Sequence, residues 1–477
     1  MKTPHRHTKI IFTIGPATDS EEVLSSLINS QVDICRLNMA HGNPEWASMI
    51  IKKIKQICKA LDREIAIMMD IKGPEIRTGE IEGTWQLEKN EFFDLYTEPY
   101  DENQNPKNKQ NKSVTVNYPG IIDDIHVGNI ILIDNGLIQL EVLGKHKNYL
   151  HCKVIIPGVL RSNCHINLPG VKINLPSLTE KDKSALAVAI QEQIDFVALS
   201  FVREAQDIIE LKNFLTEQGS RARIIAKIED QSGLNNLEEI VKKTDAIMIA
   251  RGDLGIECPY EKIPIIQHNI INICLTYGKP VIVATHMLES MVTAPIPTRA
   301  EVSDISNAIF QMVDCIMLSA ETSIGQYPLQ CIDVMKKISY EIEADLPLSY
   351  NQKFELSLPK NKMLRSAVVL AQELGNAGIL VFTRTGRSAQ LISSLRATQC
   401  PIFVFTNNKT IYRQMRILWG IEPFFLQFFE NHNQTIENAL DELTKNKSLK
   451  KGNYAIILTS VVIKTQSIDT IQLRHLV

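Results

Sequence analysis

Short apolar runs alternate with longer amphipathic segments along most of the chain. A short apolar run bounded by polar residues is typical of a strand buried on both faces, whereas apolar residues three and four positions apart indicate a helix. Most of these runs start roughly 20 to 35 residues apart, which is the length of one strand–helix unit. The eight runs span residues 10–14, 33–37, 65–70, 196–200, 224–228, 246–250, 281–285 and 315–319.

This rhythm predicts an α/β chain whose main domain is a (β/α)8 or TIM barrel. A doubly wound open sheet is the alternative for the same alternation. Eight strand–helix units and a return helix favour a sheet that closes into a barrel. The predicted helices cover residues 21–28, 46–60, 180–193, 204–218, 235–243, 266–277 and 299–312.

One long stretch interrupts the rhythm after the third strand. Between Asp70 and Phe196 the pattern alternates between apolar and polar residues and is rich in turns, as in SVTVNYPG and NIILIDNGLIQLEV. The Asn135–Gly136 pair is a strong hairpin signal. We therefore expect an inserted all-β lid domain at residues 73–170, with the barrel domain at residues 1–72 and 171–345.

The last part of the chain returns to alternating helices and strands. Helical patterns at 363–374 and 388–396 flank apolar runs at 379–383 and 402–406. This alternation predicts a C-terminal α/β domain at residues 346–477, with a core of its own.

The composition argues against a nucleic-acid-binding, membrane-spanning or zinc-stabilised protein. The formal net charge of −3 provides no basic surface for nucleic acid. Apolar runs stay far below membrane-spanning length. The nine cysteines are scattered and contain no C-x-x-C pair, which predicts reduced thiols in a cytoplasmic protein and no structural zinc.

Polar residues gather where the predicted barrel strands end. Active sites of TIM barrels lie at the carboxyl ends of the strands, so these residues are expected to share one rim. From the second strand to the eighth, they are Arg36, Asn38 and His41; Asp70, Lys72, Glu75 and Arg77; Ser200; Lys227 and Glu229; Arg251, Gly252 and Asp253; Thr285 and His286; Ser319 and Glu321.

The residue types at this rim favour phosphoryl transfer. Lys227 and Glu229 point the same way from one strand, and taken alone they also fit a structural ion pair. Glu229 and Asp253 supply two hard carboxylate ligands, which suit Mg²⁺ or Mn²⁺. With Arg36 and Arg77 nearby, the site combines the cations and metal that a moving phosphoryl group requires. The sequence contains neither a Walker A loop nor a G-x-G-x-x-G loop.

Nine stretches form a recognisable set of motifs. They are TKIIFTIGPAT at 8–18, ICRLNMAHG at 34–42, MDIKGPEIRTG at 69–79, INLPGVKINLP at 166–176, LSFVREAQD at 199–207, IIAKIED at 224–230, IMIARGDLGIE at 247–257, ATHMLESMVTAPIPTRAEVSD at 284–304 and MLSAETSIGQYP at 317–328. Together they resemble the pyruvate kinase family over nearly the whole chain. The resemblance implies transfer of the phosphoryl group of phosphoenolpyruvate to ADP, with Mg²⁺ (or Mn²⁺) and K⁺ as cofactors. It also implies a homotetramer, by analogy with the family.

The resemblance implies a role for each matching residue. It assigns Lys227 to the moving phosphoryl group and Arg36 to the substrate phosphate. The other implied groups are Glu229 and Asp253 for Mg²⁺; Gly252, Asp253, Thr285 and Ser200 for substrate; Asn38, His41 and Arg77 for nucleotide; Asn38, Asp70 and the carbonyl of Ile71 for K⁺; and Ser319 and Glu321 for a proton relay.

The chain departs from the family at the cation and nucleotide sites. Ala40 stands where the family has a serine that binds K⁺, and we therefore expect weaker K⁺ binding. Ile324 replaces a lysine that faces the nucleotide, and Cys164 lies where the family has a lysine–glycine pair. These two losses predict weaker binding of ADP.

In the third domain, TRTGRS joins a predicted strand to a predicted helix. Its hydroxyls, arginines and backbone N–H groups suit a phosphate, and the family binds phosphorylated effectors near such a loop. An ordinary helix cap is the alternative. The residues concerned are Thr383, Arg384, Thr385, Gly386, Arg387 and Ser388.

Two other functions fit parts of the sequence. The first is a regulatory paralogue that binds phosphoenolpyruvate but turns it over weakly, which the missing nucleotide-side lysines suggest. The second is another metal-dependent barrel enzyme acting on a 2-oxo acid. The inserted lid and the RLNMAHG motif argue against this second function.

Overall fold

The computed structural model describes residues 6–98, 111–347, 351–354, 356–463 and 466–476. The chain begins with two strand–helix units and a third strand. These elements are β1 (Lys9–Thr13), α1 (Glu21–Asn29), β2 (Ile34–Asn38), α2 (Pro44–Ala60) and β3 (Ala66–Ile71).

An insertion with its own sheet follows β3. Its elements are β4 (Ile76–Arg77), β5 (Trp85–Leu87), β6 (Phe92–Tyr96), β7 (Lys112–Thr115), α3 (Ile121–Asp124), β8 (Ile130–Ile133), β9 (Ile138–Lys145), β10 (Tyr149–Ile156), β11 (Gly158–Leu160) and β12 (His165–Asn167).

The strand–helix alternation then resumes. Its elements are α4 (Glu180–Gln191), β13 (Phe196–Leu199), α5 (Ala205–Glu217), β14 (Arg223–Ile228), α6 (Gln231–Asn235), α7 (Leu237–Lys243), β15 (Ala246–Ala250), α8 (Arg251–Glu257), α9 (Ile263–Tyr277), β16 (Val281–Ala284), α10 (Arg299–Phe310), β17 (Cys315–Met317), α11 (Ala320–Ser323) and α12 (Pro328–Ala344).

The C-terminal part forms a second α/β unit. Its elements are α13 (Pro359–Leu374), β18 (Ala377–Phe382), α14 (Arg387–Ser394), β19 (Ile402–Thr406), α15 (Lys409–Gln414), β20 (Ile421–Phe425), α16 (His432–Lys445), β21 (Tyr454–Ile463) and β22 (Gln466–His475).

Eight parallel strands close into the predicted barrel, in the order β1-β17-β16-β15-β14-β13-β3-β2. The pairing of Asp70 on β3 with Asn38 on β2 and with Ala198 on β13 brings the ends of three strands to one level. Alternate side chains of a strand face opposite ways. Accordingly, Phe12 packs beneath the surrounding helices, whereas Ile11 lies in the apolar cluster that continues into the C-terminal domain.

The insertion is built on a seven-stranded sheet, in the order β4-β12-β8-β9-β10-β6-β7. The predicted hairpin is present between β8 and β9, where Asn135 and Gly136 have φ of 59° and 83°. Two features were not predicted from the alternating pattern. Strands β6 and β7 run parallel, and the short helix α3 precedes β8.

The C-terminal domain packs against the end of the barrel where the strands begin. Its sheet has the order β20-β19-β18-β21-β22, with only the last pair antiparallel. Arg413 Nε donates to Asp195, which directly precedes β13. The opposite end of the barrel therefore stays open for the inserted domain. Among the described residues, no helix combines the length and apolar character needed to cross a membrane.

A buried ion pair joins the barrel to this domain. Arg396, just after α14, pairs with Asp314, just before β17, and their side chains are 4% and 1% exposed. Asp314 also accepts the backbone N–H groups of Val281 at 3.0 Å and Trp419 at 3.1 Å. Burial raises the pKa of Asp314, and Arg396 counteracts that rise, so the carboxylate depends on its partner.

We expect Arg396→Met to lower the free energy of unfolding by about 3–5 kcal/mol, because it leaves a buried carboxylate without its counter-charge. Urea unfolding followed by circular dichroism measures the loss. The matched control is Lys183→Met, since Lys183 pairs with Glu180 on the surface, at 45% and 88% exposure, and should change stability by less than about 1 kcal/mol. Equal effects of the two substitutions would contradict this account of the interface.

Candidate active site

Lys227 lies at the centre of a buried cluster of charges. It is the penultimate residue of β14, and its Nζ lies 2.9 Å from Glu229 Oε1 and 3.1 Å from Asp70 Oδ1. The same ammonium donates to Ser200 Oγ at 2.7 Å. Burial lowers the pKa of Lys227, but Asp70 and Glu229 outweigh it, so the net pKa is raised. The two carboxylates therefore favour the charged form of Lys227 at the rim.

Asp70 connects this lysine to the predicted phosphate-binding arginine. Arg36 donates to Asp70 Oδ2 through Nε at 2.8 Å and Nη2 at 2.7 Å. Its Nη1 donates to Thr13 Oγ1 at 3.0 Å. Burial acts to raise the pKa of Asp70, yet Lys227 and Arg36 lower it below its usual value. One carboxylate thus orients two cations from neighbouring parts of the rim.

The turn after β13 completes the cluster. Ser200 Oγ donates to the carbonyl of Ile71 at 2.8 Å, which fixes the hydroxyl that Lys227 contacts. The backbone N–H of Phe201 donates to Glu229 Oε2 at 2.6 Å. Phe201 has φ of 52°, a conformation that costs free energy in a non-glycine residue. This strained turn turns a backbone N–H toward the predicted metal ligand.

Glu229 and Asp253 have the chemistry of a divalent-metal site. Burial raises the pKa of Glu229, Lys227 lowers it, and the charge of Asp253 adds to the rise. Two hard carboxylates that repel each other suit Mg²⁺, which binds one or two carboxylates and takes its other ligands from water and phosphate. Among the described residues, no three His, Cys, Asp or Glu side chains converge as a metal cage. The hard oxygen donors of the two carboxylates fit Mg²⁺ as partial ligands.

The turns after β15 and β16 are locked to each other. Arg251 pairs with Asp304 at 2.8 Å, and its Nη2 donates to the carbonyl of Thr285 at 2.7 Å. Thr285 and His286 have φ of 69° and 55°. The backbone N–H of Gly252 donates to Thr285 Oγ1 at 2.8 Å. Gly252, which the resemblance assigns to the substrate, therefore uses its N–H to hold Thr285.

Glu321 is placed differently from Ser319. The carboxylate of Glu321 is fully buried, and it accepts the backbone N–H groups of Leu288 at 3.0 Å and of Ser319 at 2.7 Å. It therefore joins the turn after β16 to the turn after β17. Ser319 itself is partly exposed. Of the two residues predicted for a proton relay, only Ser319 is open to the rim.

The predicted nucleotide residues use partners different from those of the buried cluster. Asn38 Oδ1 accepts the backbone N–H of Ala40 at 3.1 Å, and His41 is exposed. Arg77, on β4 at the base of the insertion, pairs with Glu75 at 2.6 Å and donates to the carbonyl of Asn163 at 2.7 Å. Arg77 thus spans the two ends of the inserted domain.

The two departures on the nucleotide side occupy contrasting surroundings. Ile324 directly follows α11 and is 63% exposed. Cys164 is 6% exposed and belongs to the apolar core of the insertion. Neither position presents a cation in this structure.

The TRTGRS loop borders a cavity of about 580 Å³ in the C-terminal domain. Gly386, at φ of 81°, precedes α14, and its N–H donates to Thr383 Oγ1 at 3.0 Å. Arg223 Nη2, from the first residue of β14, donates to the carbonyl of Thr385 at 3.3 Å. The loop therefore contacts the same strand that carries Lys227 at its other end.

Two residues of the rim escaped the sequence interpretation. Thr13 is the last residue of β1 and accepts a hydrogen bond from Arg36. Its position at a strand end is the same signal that identified the other rim residues. Asp304 lies inside α10 and pairs with Arg251. No local pattern links these two, because they are 53 positions apart in the chain.

A TIM barrel with buried cations and two carboxylates at its rim has the chemistry that a phosphotransferase requires. The family models agree and are more specific. The pyruvate kinase barrel domain matches residues 5–332, and the pyruvate kinase alpha/beta domain matches residues 361–473. The chain therefore belongs to the pyruvate kinase family.

Relatives match over almost the full length. The pyruvate kinase of Geobacillus stearothermophilus is 37% identical over 463 residues, covering 96% of this chain and 78% of the relative. Plastidial pyruvate kinase 2 of Arabidopsis thaliana is 36% identical over 482 residues, covering 99% and 81%. The crystal structure of a pyruvate kinase from Cryptosporidium parvum is similar with a TM-score of 0.91 and 31% identity, covering 98% and 96%.

We expect Glu321→Gln to lower kcat without changing the shape of its pH profile, because the carboxylate holds two turns in place and transfers no proton. In this variant the amide NH₂ group faces one of the two backbone N–H groups that the carboxylate accepted. That buried N–H loses its acceptor, which costs about 1–3 kcal/mol. Steady-state rates across a pH range measure the profile. Loss of one limb of that profile would instead support the proton relay predicted for Glu321.

Proposed function

We propose that this chain transfers the phosphoryl group of phosphoenolpyruvate to ADP and yields pyruvate and ATP. The observation that carries the proposal is the buried Lys227, held between Asp70 and Glu229 at 3.1 and 2.9 Å. A preorganised cation of this kind stabilises negative charge that develops on the transferred group, and it needs no reorganisation during the reaction. Membership of the pyruvate kinase family supports the same reaction.

Arg36 binds the phosphate of phosphoenolpyruvate in this proposal. Its guanidinium is fixed by Asp70 and Thr13, and its remaining N–H groups are available to an anion. Lys227 lies across Asp70 from it, so that the phosphoryl group meets two oriented cations. Ser200 and Thr285 complete the binding of the substrate, and Arg251 keeps the Thr285 turn in place.

Glu229 and Asp253 hold Mg²⁺ (or Mn²⁺) in this proposal. When bound there, the metal supplies positive charge against the carboxylate and phosphate oxygens of the substrate. Ser319 belongs to the proton relay toward the enolate, and Glu321 positions it through the Ser319 N–H. Asn38, Asp70 and the carbonyl of Ile71 form the K⁺ site, which lacks a hydroxyl ligand at Ala40.

ADP binds on the side of Asn38, His41 and Arg77, beneath the lid at residues 73–170. Closure of the lid excludes water and brings the nucleotide to the phosphoryl group. Arg77 supports this arrangement, since it contacts Glu75 and Asn163 at the two junctions of the lid. The proposed domain boundaries place the barrel at residues 1–72 and 171–345. They place the C-terminal domain at residues 346–477.

The regulatory paralogue remains the competing function, because Ile324 and Cys164 leave the nucleotide side without two cations. A coupled assay of pyruvate formation from phosphoenolpyruvate, ADP, Mg²⁺ and K⁺ separates the two functions. We expect turnover that requires both ADP and the divalent metal. Binding of phosphoenolpyruvate without turnover would support the paralogue and overturn the proposed reaction.

Three further assignments complete the proposal. The TRTGRS loop binds a phosphorylated effector, and loss of the effector response in Arg384→Met tests this. By analogy with the family, the chain forms a homotetramer, which light scattering tests. Subunit contacts would cover three exposed apolar side chains of β22, which are Ile468, Ile471 and Leu473. A cytoplasmic location stays a prediction that fractionation tests, since two relatives are named plastidial.

We expect Lys227→Met to lower kcat by roughly 10²–10³-fold or more, with a much smaller change in the KM for phosphoenolpyruvate. The reason is that the ammonium acts mainly on charge that develops in the transition state. Lys183→Met, on the surface, is the control. A large rise in KM with normal kcat would contradict the role of Lys227.

Restoring a cation on the nucleotide side should strengthen binding of ADP. We expect Ile324→Lys to lower the KM for ADP by up to about tenfold, the effect of one charge-assisted contact with phosphate. Ile265→Lys is a matched control, because Ile265 is also 63% exposed but lies on α9. An equal effect of both substitutions would mean that only net charge matters.

The missing hydroxyl at Ala40 predicts weak but real K⁺ activation. We expect activity to fall when Na⁺ replaces K⁺, and Ala40→Ser to lower the half-saturating K⁺ concentration by several-fold, because it restores an oxygen ligand. Rates at constant ionic strength measure both effects. Unchanged activity in Na⁺ would rule out a K⁺ site that matters for catalysis.

A further inference from the structure

The inserted domain presents one histidine, His165, to the rim of the barrel. His165 begins β12, and its direct partner across the strand pair is Arg77 on β4. The next pair along these strands, Ile166 with Ile76, is buried in the apolar core of the insertion. Because side chains alternate along a strand, His165 and Arg77 share the opposite face of the sheet, outside that core.

The turn after β13 forms the barrel side of this contact. The ring of His165 packs near the ring of Phe201, with centroids 6.0 Å apart and planes inclined by 44°. Phe201 is the residue whose backbone N–H donates to Glu229. A side chain of the inserted domain therefore lies beside the turn that orients a proposed metal ligand.

Charged side chains from both domains surround the imidazole. Glu75 pairs with Lys72 at 3.0 Å and with Arg77 at 2.6 Å, so that one carboxylate faces two cations. Asp253, on α8, is the other carboxylate whose charge acts on His165. His165 thus lies within electrostatic range of Arg77, proposed for the nucleotide, and of Asp253, proposed for the metal.

A small cavity at the junction of the two domains is also lined by His165. Its volume is about 40 Å³, and the charged side chains that line it are Arg203, Asp230 and Glu257. Arg203 Nη1 donates to the carbonyl of Ile173 at 2.7 Å. The cavity is large enough for water but not for a nucleotide, so a nucleotide phosphate meets His165 on its rim side.

The protonation of His165 responds to these neighbours. Burial lowers its pKa; Glu75 and Asp253 oppose this effect, and Arg77 and Lys72 reinforce it. The ring is therefore mostly neutral at pH 7 in the free protein. A neutral imidazole still donates one N–H, and a phosphate beside it favours the charged form, because opposite charges stabilise each other.

We propose that His165 and Arg77 together hold the diphosphate of ADP, with His165 donating a ring N–H. This inference rests on the proposed function, because it adds a residue to the nucleotide site. Cys164 and Ile324 present no cation on that side, whereas His165 acquires a charge when phosphate binds. ADP binding therefore takes up a proton, so it strengthens below the pKa of the free ring and weakens as the pH rises through the higher pKa of the complex.

Equilibrium dialysis of ADP with Mg²⁺, without phosphoenolpyruvate, measures this contact in the full-length protein. We expect His165→Ala to weaken ADP binding by roughly five- to tenfold at about pH 6, the effect of losing one charge-assisted contact. His165→Gln keeps an N–H donor without a charge and should bind with intermediate affinity. His126→Ala is the matched control, since His126 is also a histidine of the inserted domain and is exposed.

The pH dependence separates a contact with phosphate from a packing role against Phe201. Between about pH 8 and about pH 6 the affinity of the parent should rise several-fold more than that of His165→Gln. The titration of ADP itself is common to both proteins and cancels in this comparison. His165→Gln also provides the test if His165→Ala does not fold. Parallel pH profiles of the parent and His165→Gln would overturn the proposal.

The dialysis distinguishes this contact from the proposed reaction. ADP binding that depends on His165, in a protein that forms no pyruvate, would support the contact and overturn the reaction. Turnover with the same ADP affinity in the parent and in His165→Ala would overturn the contact and leave the reaction intact. A parent chain that binds no ADP would overturn the contact as well.

Discussion

Mutual neutralisation of charges inside the barrel rim is the constraint on which this structure depends. Lys227 and Glu229 are 8% and 1% exposed, and Asp70 is 1% exposed. Charges so deeply buried are tolerated only when they are paired and hydrogen-bonded. The ends of β3, β13 and β14 must therefore stay at the level where Asp70, Ser200 and Lys227 meet. A shift of one residue in any of these strands would turn its side chain away from the others.

The domains use the two ends of this barrel differently. The ends of the strands carry the cations and carboxylates of the proposed active site, and the inserted domain is attached there. At the starts of the strands, Asp314 and Asp195 form ion pairs with Arg396 and Arg413 of the C-terminal domain. Arg223, at the start of β14, contacts the TRTGRS loop. One strand thus links the C-terminal domain to the proposed catalytic lysine.

The sequence allowed prediction of the barrel, the inserted domain and most of the rim, because strand periodicity places the strand ends together. Details that depend on long-range packing were not predicted. The backbone N–H of Gly252 is taken by Thr285, and the carboxylate of Glu321 binds backbone rather than facing the rim. The parallel pairing of β6 with β7 likewise leaves no signal in a local pattern.

We propose that Asp70 and Lys227 act as one unit in catalysis, and a double-mutant cycle on kcat tests this coupling most directly. Asp70→Asn, Lys227→Met and the double variant are compared with the parent chain. Residues that act together show strongly non-additive losses, so the double variant should be little worse than Lys227→Met alone. Losses that multiply independently would contradict the account, because Asp70 would then contribute without orienting Lys227.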